Sequence, residues 1–427
     1  MNTSTTLAPN PAPRQSDDGQ VGKQARERHV LVLGSYPAVD PRHGGQVRLS
    51  QIVAAYLARG WRVTLATFFP GHGVYENVHL GPADIALPLE ELRAWRGQVA
   101  PFVEDLVSGE VVAQDPARIA ALELHCGQID VLHLEQPWLL PVVHALRERR
   151  RVGPFRLVYG SQNIEWRLKQ AIFEQYLTPG MEPIIAAIQA LEQACARQAD
   201  LVAAVTADDA ATLRAWTDRP VVLAANGIAP WRADPQRVAH WREQLGPDPF
   251  ALYVASAHPP NVDGFTRSFG ECLAPLAPDH RVVLVGGVAE HIVQSAWYKA
   301  WEPLNARRLV AIGPVGQADL SALRELAHAF VIPVTSGGGS NLKTAEALYS
   351  RRHVVATPNA MRGFEDLASA PGLIVAAPGL EFVQSVDRAL GMPLPVQDAA
   401  SLERLSSLTW ERTLSDLCDA LDHLPAP

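Results

Sequence analysis

"AFVIPVTSGGGSNLKTAEAL", residues 329–348, is the stretch that decides the fold. An apolar run ends in a loop with three successive glycines, and a helix-forming run with one lysine and one glutamate follows. A strand of a parallel sheet reads as an unbroken aliphatic run, because helices cover both of its faces. Glycines after such a strand let a ligand approach the backbone, and the free N–H groups of the next helix attract an anion such as a pyrophosphate. Ser340 stands where an N-cap belongs. Lys343 falls in the first turn, where its charge opposes the helix dipole, a mild cost that a bound phosphate would explain. Glu346 lies three residues on, on the same face, and a carboxylate can accept two hydrogen bonds from a ribose diol. Lysine for phosphate and glutamate for ribose would form a nucleotide clamp. A tight turn followed by an ordinary exposed Lys–Glu pair has the same sequence.

The alternation of strand and helix extends in both directions. "HVLVLGSYP" (29–37), "RVTLATFF" (62–69), "IDVLHLEQ" (129–136), "FRLVYGSQN" (155–163), "LVAAVTADD" (201–209) and "PVVLAANG" (220–227) read as one series of strands. A second series runs through "FALYVASA" (250–257), "RVVLVGG" (281–287), "RLVAIGP" (308–314), "AFVIPV" (329–334) and "HVVAT" (353–357). Helical spacing fills the gaps. The pattern predicts two doubly wound, Rossmann-like α/β domains that meet near residues 226–245, with strand ends facing one cleft.

Composition agrees with that plan. The chain has 427 residues, a 48% hydrophobic and 19% charged make-up, and a formal charge of −8. Such a length accommodates two cores. The negative balance argues against nucleic acid as a partner, since few cations are available to displace counterions. Cys126, Cys195, Cys272 and Cys418 are far apart, so free thiols are expected rather than a zinc site or a disulfide framework. Residues 1–27 are poor in large apolar groups and read as a disordered tail. No run reaches the ~20 apolar residues of a spanning helix and no signal peptide is evident, which suggests a cytoplasmic protein.

The segment 333–365, "PVTSGGGSNLKTAEALYSRRHVVATPNAMRGFE", resembles the donor-binding signature of retaining glycosyltransferase family 4, whose members have the GT-B fold. "GGQVRLSQIVAAYLARGWRVTLAT" (44–67), "SQNIEWRL" (161–168), "AANGIAP" (224–230), "SAHPPNVDGFTRSFGECLAPL" (256–276) and "LTWERTLSDL" (408–417) extend the resemblance over about residues 28–420. It implies an acceptor domain at 28–225, a nucleotide-sugar donor domain at 226–405, and a C-terminal helix at 406–427, with Trp410, crossing back to the first domain. By the same resemblance Glu346 holds the donor ribose, Gly338 and Gly339 lie against the diphosphate or sugar, and Gly44 and Gly45 face them from the first domain. Lys343 fits a phosphate contact, with Ser340 and Asn341 beside it. No metal and no cofactor are implied; the donor is a UDP- or GDP-linked sugar.

Three segments depart from the family pattern. A second glutamate that many members carry eight residues before the ribose-binding one is here Gly338. An Arg and a Lys that usually bind phosphate after the first strand of the second domain are replaced within "SAHPPNVDGF" (256–265), which leaves His258 and Asn261 as donor candidates. Where related chains often read His-Asn-x-Glu, this one has Gln162, Asn163, Ile164 and Glu165. Gln162 can hydrogen-bond but cannot act as an acid or base.

His43, next to the glycine pair, is a candidate to face donor or acceptor, because imidazole titrates in a useful range; a lone histidine in a polar loop is also often just solvated. Arg48, Glu135, Gln162, Asn163 and Glu165 are the acceptor-side candidates, and Glu346, Lys343 and His43 the catalytic ones. Arg147, Arg149, Arg150 and Arg151 could meet anionic lipid, giving peripheral contact with the inner membrane surface, or simply be a solvated helix end. The expected function is transfer of a sugar to a glycan or lipid-linked acceptor with retention, in cell-surface polysaccharide or glycolipid biosynthesis. The rivals are an epimerase or phosphorylase on the same fold, and a catalytically degenerate glycan- or nucleotide-binding subunit.

Overall fold

The computed structural model describes residues 27–41, 43–95, 103–175, 180–336, 340–425 and 427. The tail expected at 1–27 lies outside them except for Glu27, as do Gly338 and Gly339.

Two parallel sheets form the scaffold. The first has seven strands: β1 (His29–Gly34), β2 (Arg62–Pro70), β3 (Asp84–Leu87), β4 (Val131–Glu135), β5 (Arg156–Ser161), β6 (Leu201–Ala204) and β7 (Val221–Leu223). Their order is β3-β2-β1-β4-β5-β6-β7. The second has six: β8 (Phe250–Val254), β9 (Arg281–Val285), β10 (Leu309–Gly313), β11 (Ala329–Ile332), β12 (His353–Ala356) and β13 (Leu373–Val375), ordered β10-β9-β8-β11-β12-β13. Each sheet reverses direction beside its first strand, at β1/β4 and β8/β11, which is the crevice where ligands bind in such sheets.

Side chains alternate across β1, so one strand feeds two cores. Leu31 and Leu33 pack with Leu132, Leu134 and Tyr159 on one face, Val30 and Val32 with Val158 and Ala203 on the other. That second core is completed from the far end of the chain. Trp410, Leu414, Leu417 and Leu421, from the helices Trp410–Thr413 and Ser415–Asp422, are buried in it. Each such side chain contributes about 1.5–3 kcal/mol by leaving water.

The chain passes between domains on a held segment. Ala224 N donates to Ala204 O (2.8 Å), Ile228 N to Leu408 O (2.8 Å), and Trp410 N to Ile228 O (3.2 Å). A Cβ on Gly227 would stand 2.6 Å from Trp410 N, so glycine is what lets the two strands of chain lie together.

Candidate functional site

Each sheet sends a helix to the cleft with a histidine at its N-cap. His43 precedes the helix Gly44–Ala58, and His258 the helix Pro259–Ser268; neither side chain caps its own helix. The rings are therefore free to turn to other partners. His43 Nε2 lies 3.1 Å from the Tyr75 hydroxyl, and its ring meets Tyr36 edge-on at 5.2 Å. Burial, then the nearby His258, pull the His43 pKa down to about 4. Burial and the Lys343 ammonium likewise lower that of His258. Close contacts place His43, His258 and Lys343 in one neighbourhood: Gly44, next to His43, stands against Leu342, next to Lys343, and Lys343 Nζ reaches Asn261, whose N–H donates to His258 O (2.9 Å). Lys343 brings the positive charge of this neighbourhood, and the helix starting at Gly44 brings free N–H groups; the helix at Pro259 begins with two prolines, which have none.

Lys343 Nζ donates to Asn261 Oδ1 (3.2 Å), and Asn261 Nδ2 donates to Ser256 O (3.1 Å). Burial lowers the Lys343 pKa, with Glu346 acting in the opposite sense. The N-cap of the helix Leu342–Tyr349 is Asn341, whose Oδ1 accepts from Lys343 N (3.0 Å), and not Ser340 as the sequence suggests. Asn and Ser cap about equally well, and the helix begins after Asn341, whose extended backbone is that of an N-cap. The Ser340 hydroxyl is buried with no partner among the described residues, so it can serve a polar ligand. Glu346 Oε2 pairs with Arg324 (2.6 Å), whose guanidinium lies 4.8 Å over Trp231. A third of the Glu346 side chain stays exposed.

Gly44 and Gly45 are sites of close approach. A Cβ on Gly44 would come within 3.2 Å of Leu342 in the other domain, and one on Gly45 within 2.5 Å of the Tyr36 hydroxyl. That hydroxyl accepts a hydrogen bond from Gln162 Nε2. Under the cleft, Ser35 Oγ donates to Gln136 Oε1, and Gln136 Nε2 to Glu165 Oε1 (3.2 Å), which also receives Asn163 Nδ2 (3.2 Å). Gln136 holds a left-handed φ of 69°, a conformation costly for a side-chain-bearing residue and recurrent at functional strand ends. Glu165 is buried, which raises its pKa to about 7; Glu192, which accepts from Glu165 N (2.7 Å) and Trp166 N (2.9 Å), is raised by burial to about 8.

Arg48 and Glu135 have a different role from the acceptor contact expected of them. Both are 1% exposed and pair with each other, Arg48 Nε to Glu135 Oε1 at 2.7 Å. Glu135 Oε2 faces His133 Nε2 (2.8 Å), and His133 Nδ1 faces the Tyr56 hydroxyl (2.6 Å). Burial pushes the Glu135 carboxyl up, but Arg48 and His133 outweigh it and hold the pKa near about 2. Gly160 makes room, since a Cβ there would lie 1.9 Å from Glu135 Oε2. With no open surface, neither side chain can touch an acceptor. Three of the four arginines near residue 150 also have partners in their own domain: Arg149 and Arg151 reach Glu123, and Arg147 lies over Phe155.

Sequence reasoning missed Tyr36, Tyr75, Gln136, Asn226, Arg324 and Glu192. "SYP" after β1 and "EQP" after β4 did mark Tyr36 and Gln136 as strand-end residues, where sites sit in this architecture. Arg324 and Glu192 carry no such signal, being helix residues at ordinary spacing. Among the described residues no cluster of His, Cys, Asp and Glu could hold a metal ion, and no helix is long and apolar enough to cross a membrane.

Residues 43–227 match the model of the glycosyl transferase 4-like domain. None of the curated proteins matches the sequence. Solved structures match over nearly the whole chain. Sucrose-phosphate synthase from Thermosynechococcus elongatus has a TM-score of 0.66 at 16% identity, covering 93% of this chain and 98% of its own. Trehalose-6-phosphate synthase OtsA gives 0.66 at 14%, covering 94% and 100%. Anabaena HepE, solved with UDP and glucose, gives 0.62 at 14%, covering 93% and 100%. Residues 43–227 are thus similar to a glycosyl transferase 4-like domain, and over nearly its whole length the chain shares the fold of these structures, the GT-B arrangement of two facing parallel-sheet domains.

Proposed function

We propose that the protein transfers a sugar from a UDP- or GDP-linked donor to a hydroxyl of a glycan or lipid-linked acceptor, with retention, in the synthesis of a surface polysaccharide or glycolipid. The observation that carries this reading is the meeting of His43, His258 and Lys343 across the two domains, where Gly44 stands against Leu342 and Lys343 Nζ reaches Asn261. HepE, solved with UDP and glucose, and an E. coli trehalose-6-phosphate structure bound with UDP-2-fluoro glucose support a nucleotide sugar as ligand of such a cleft.

Lys343 and the free N–H groups at the starts of the helices from Gly44 and Leu342 bind the diphosphate and stabilise the charge that develops as it departs. Glu346, oriented by Arg324, receives the ribose hydroxyls through its exposed side. The bond from the anomeric carbon to the diphosphate oxygen breaks, a bond to the acceptor oxygen forms, and the acceptor's proton leaves on the diphosphate. His43, neutral at pH 7, acts by hydrogen bonding, and Gln162 on Tyr36 offers a neutral contact where a charged base is not required. A hollow lined by Gly71, Tyr75, Glu76, Asn77 and Leu80 adjoins His43 through Tyr75 and gives the acceptor room.

Thermal unfolding with UDP-glucose, GDP-mannose, UDP and GDP tests the donor. One base should stabilise the protein by ~2.7 kcal/mol at a hundredfold excess over its dissociation constant. The shift should vanish in Lys343→Ala. No shift with any of the four, in a folded sample, defeats the reading.

A further inference from the structure

Asn226 sits where the chain leaves the first domain, and both ends of its amide are in use. Its Oδ1 accepts from Arg48 Nη1 (3.3 Å), and its Nδ2 donates to Ser340 O (3.2 Å), the last described residue before the donor helix cap. Arg48 Nη1 also donates to Ala224 O (2.7 Å), so one guanidinium holds both the linker backbone and the linker amide. The guanidinium in turn has little freedom. Glu135 fixes it at Nε, and His133 with Tyr56 fixes Glu135 from behind. The linker is clamped on its other side as well, by the pairing of Ile228 with Leu408 and Trp410. A short rigid amide thus stands between a buried ion pair and the loop that carries the phosphate-binding residues.

We propose that Asn226 is a positioning residue for the nucleotide sugar: it ties the donor loop at Ser340 to the Arg48–Glu135 pair, so the first domain's core sets the loop of the second. The chain of bonds runs from Glu135 through Arg48 and Asn226 to the Ser340 carbonyl, and Asn226 itself need not touch the ligand. The proposal rests on the donor assignment above for its effect on binding, but its structural half stands alone.

Two variants separate the two bonds. Asn226→Asp retains an acceptor for Arg48 and removes the donor to Ser340; Asn226→Ala removes both. Loss of one such hydrogen bond corresponds to about a fivefold weakening. Both variants should therefore raise the dissociation constant of whichever of UDP-glucose or GDP-mannose binds by about fivefold, and both should speed amide hydrogen exchange across residues 340–349 in the protein without ligand. Glu135→Gln, remote from the loop, should speed the same exchange to a smaller extent. Wild-type exchange at 340–349 in both Asn226 variants overturns the proposal, whether or not a nucleotide binds. Faster exchange with wild-type affinity overturns its functional half. Absence of nucleotide binding in the unaltered protein, with faster exchange in the variants, defeats the donor reading and leaves the structural link in place.

Discussion

His43 meets two opposing demands. Its ring is packed against Tyr36 and Tyr75, which disfavours charge, yet it stands at a helix start where an anion is expected. Its pKa is depressed to about 4, so the folded protein keeps the ring neutral where the unfolded chain would protonate it, below about 6.5. The stability due to this neutrality is present above pH 6.5 and is lost as the pH falls towards 4, up to about 3 kcal/mol. Urea unfolding of His43→Gln between pH 6.5 and 4 should accordingly slope less than that of the unaltered protein. Glu165 has the opposite sign. Its raised pKa makes the acid the favoured folded form, so its contribution is full below about pH 4.5 and disappears as the pH rises through about 7. Glu165→Gln keeps an oxygen for Gln136 and Asn163 and removes the buried charge, so it should raise the melting temperature at pH 8 and leave it nearly unchanged at pH 4.5. Neither shift was legible in the residues alone. "HGG" and "NIE" name the groups, but burial and the approach of His258 from another domain are set by folding.

The elements that read clearly were those the core fixes. β1, β4, β5, β8, β9, β11 and β12 are aliphatic because helices cover them on both faces, and the sequence pattern follows. β3 and β13 went unread. Both are partly covered edge strands of at most four residues: β3 opens with Asp84, and the aliphatic run of β13 is only three residues long, too short to stand out. The N-cap of the donor helix was misread by one residue, because Ser340 and Asn341 satisfy the same rule. Glycines were read where they border ligands, but their packing role was not. Gly160, inside β5, carries the clearest such role: Gly160→Ala would drive a methyl group into the Glu135 carboxylate and His133. Relief requires breaking a buried ion pair, at roughly 3–5 kcal/mol, which equilibrium urea unfolding would report. The same variant should mimic Asn226→Ala in the exchange of residues 340–349.

At the scale of the whole molecule, the two sheets are joined at more than one place. Asn226 touches Ser340, Gly44 touches Leu342, Gly363 lies against Thr206, and the last helices pack on the first domain. Trp410 is the largest side chain in that return. Trp410→Ala should destabilise the protein by about 3–5 kcal/mol and split a single calorimetric transition into two, because the second domain retains its own core. A variant that unfolds in one undivided step would show that the domains are coupled by other contacts. The two-domain plan was legible from the two series of strands, whereas the contacts between domains were not, since single residues with no periodicity make them.

The return of residues 410–421 to the first core has a consequence for biosynthesis. Val30, Val32, Val158 and Ala203 leave the ribosome early, but the apolar surface that covers one side of them is translated only after the entire second domain. The first domain must therefore wait in an unfinished state, with that face open, while the second is made and folds ahead of it. Order of synthesis and order of completion are inverted, and the interval is when the nascent chain most needs a chaperone to cover the exposed face.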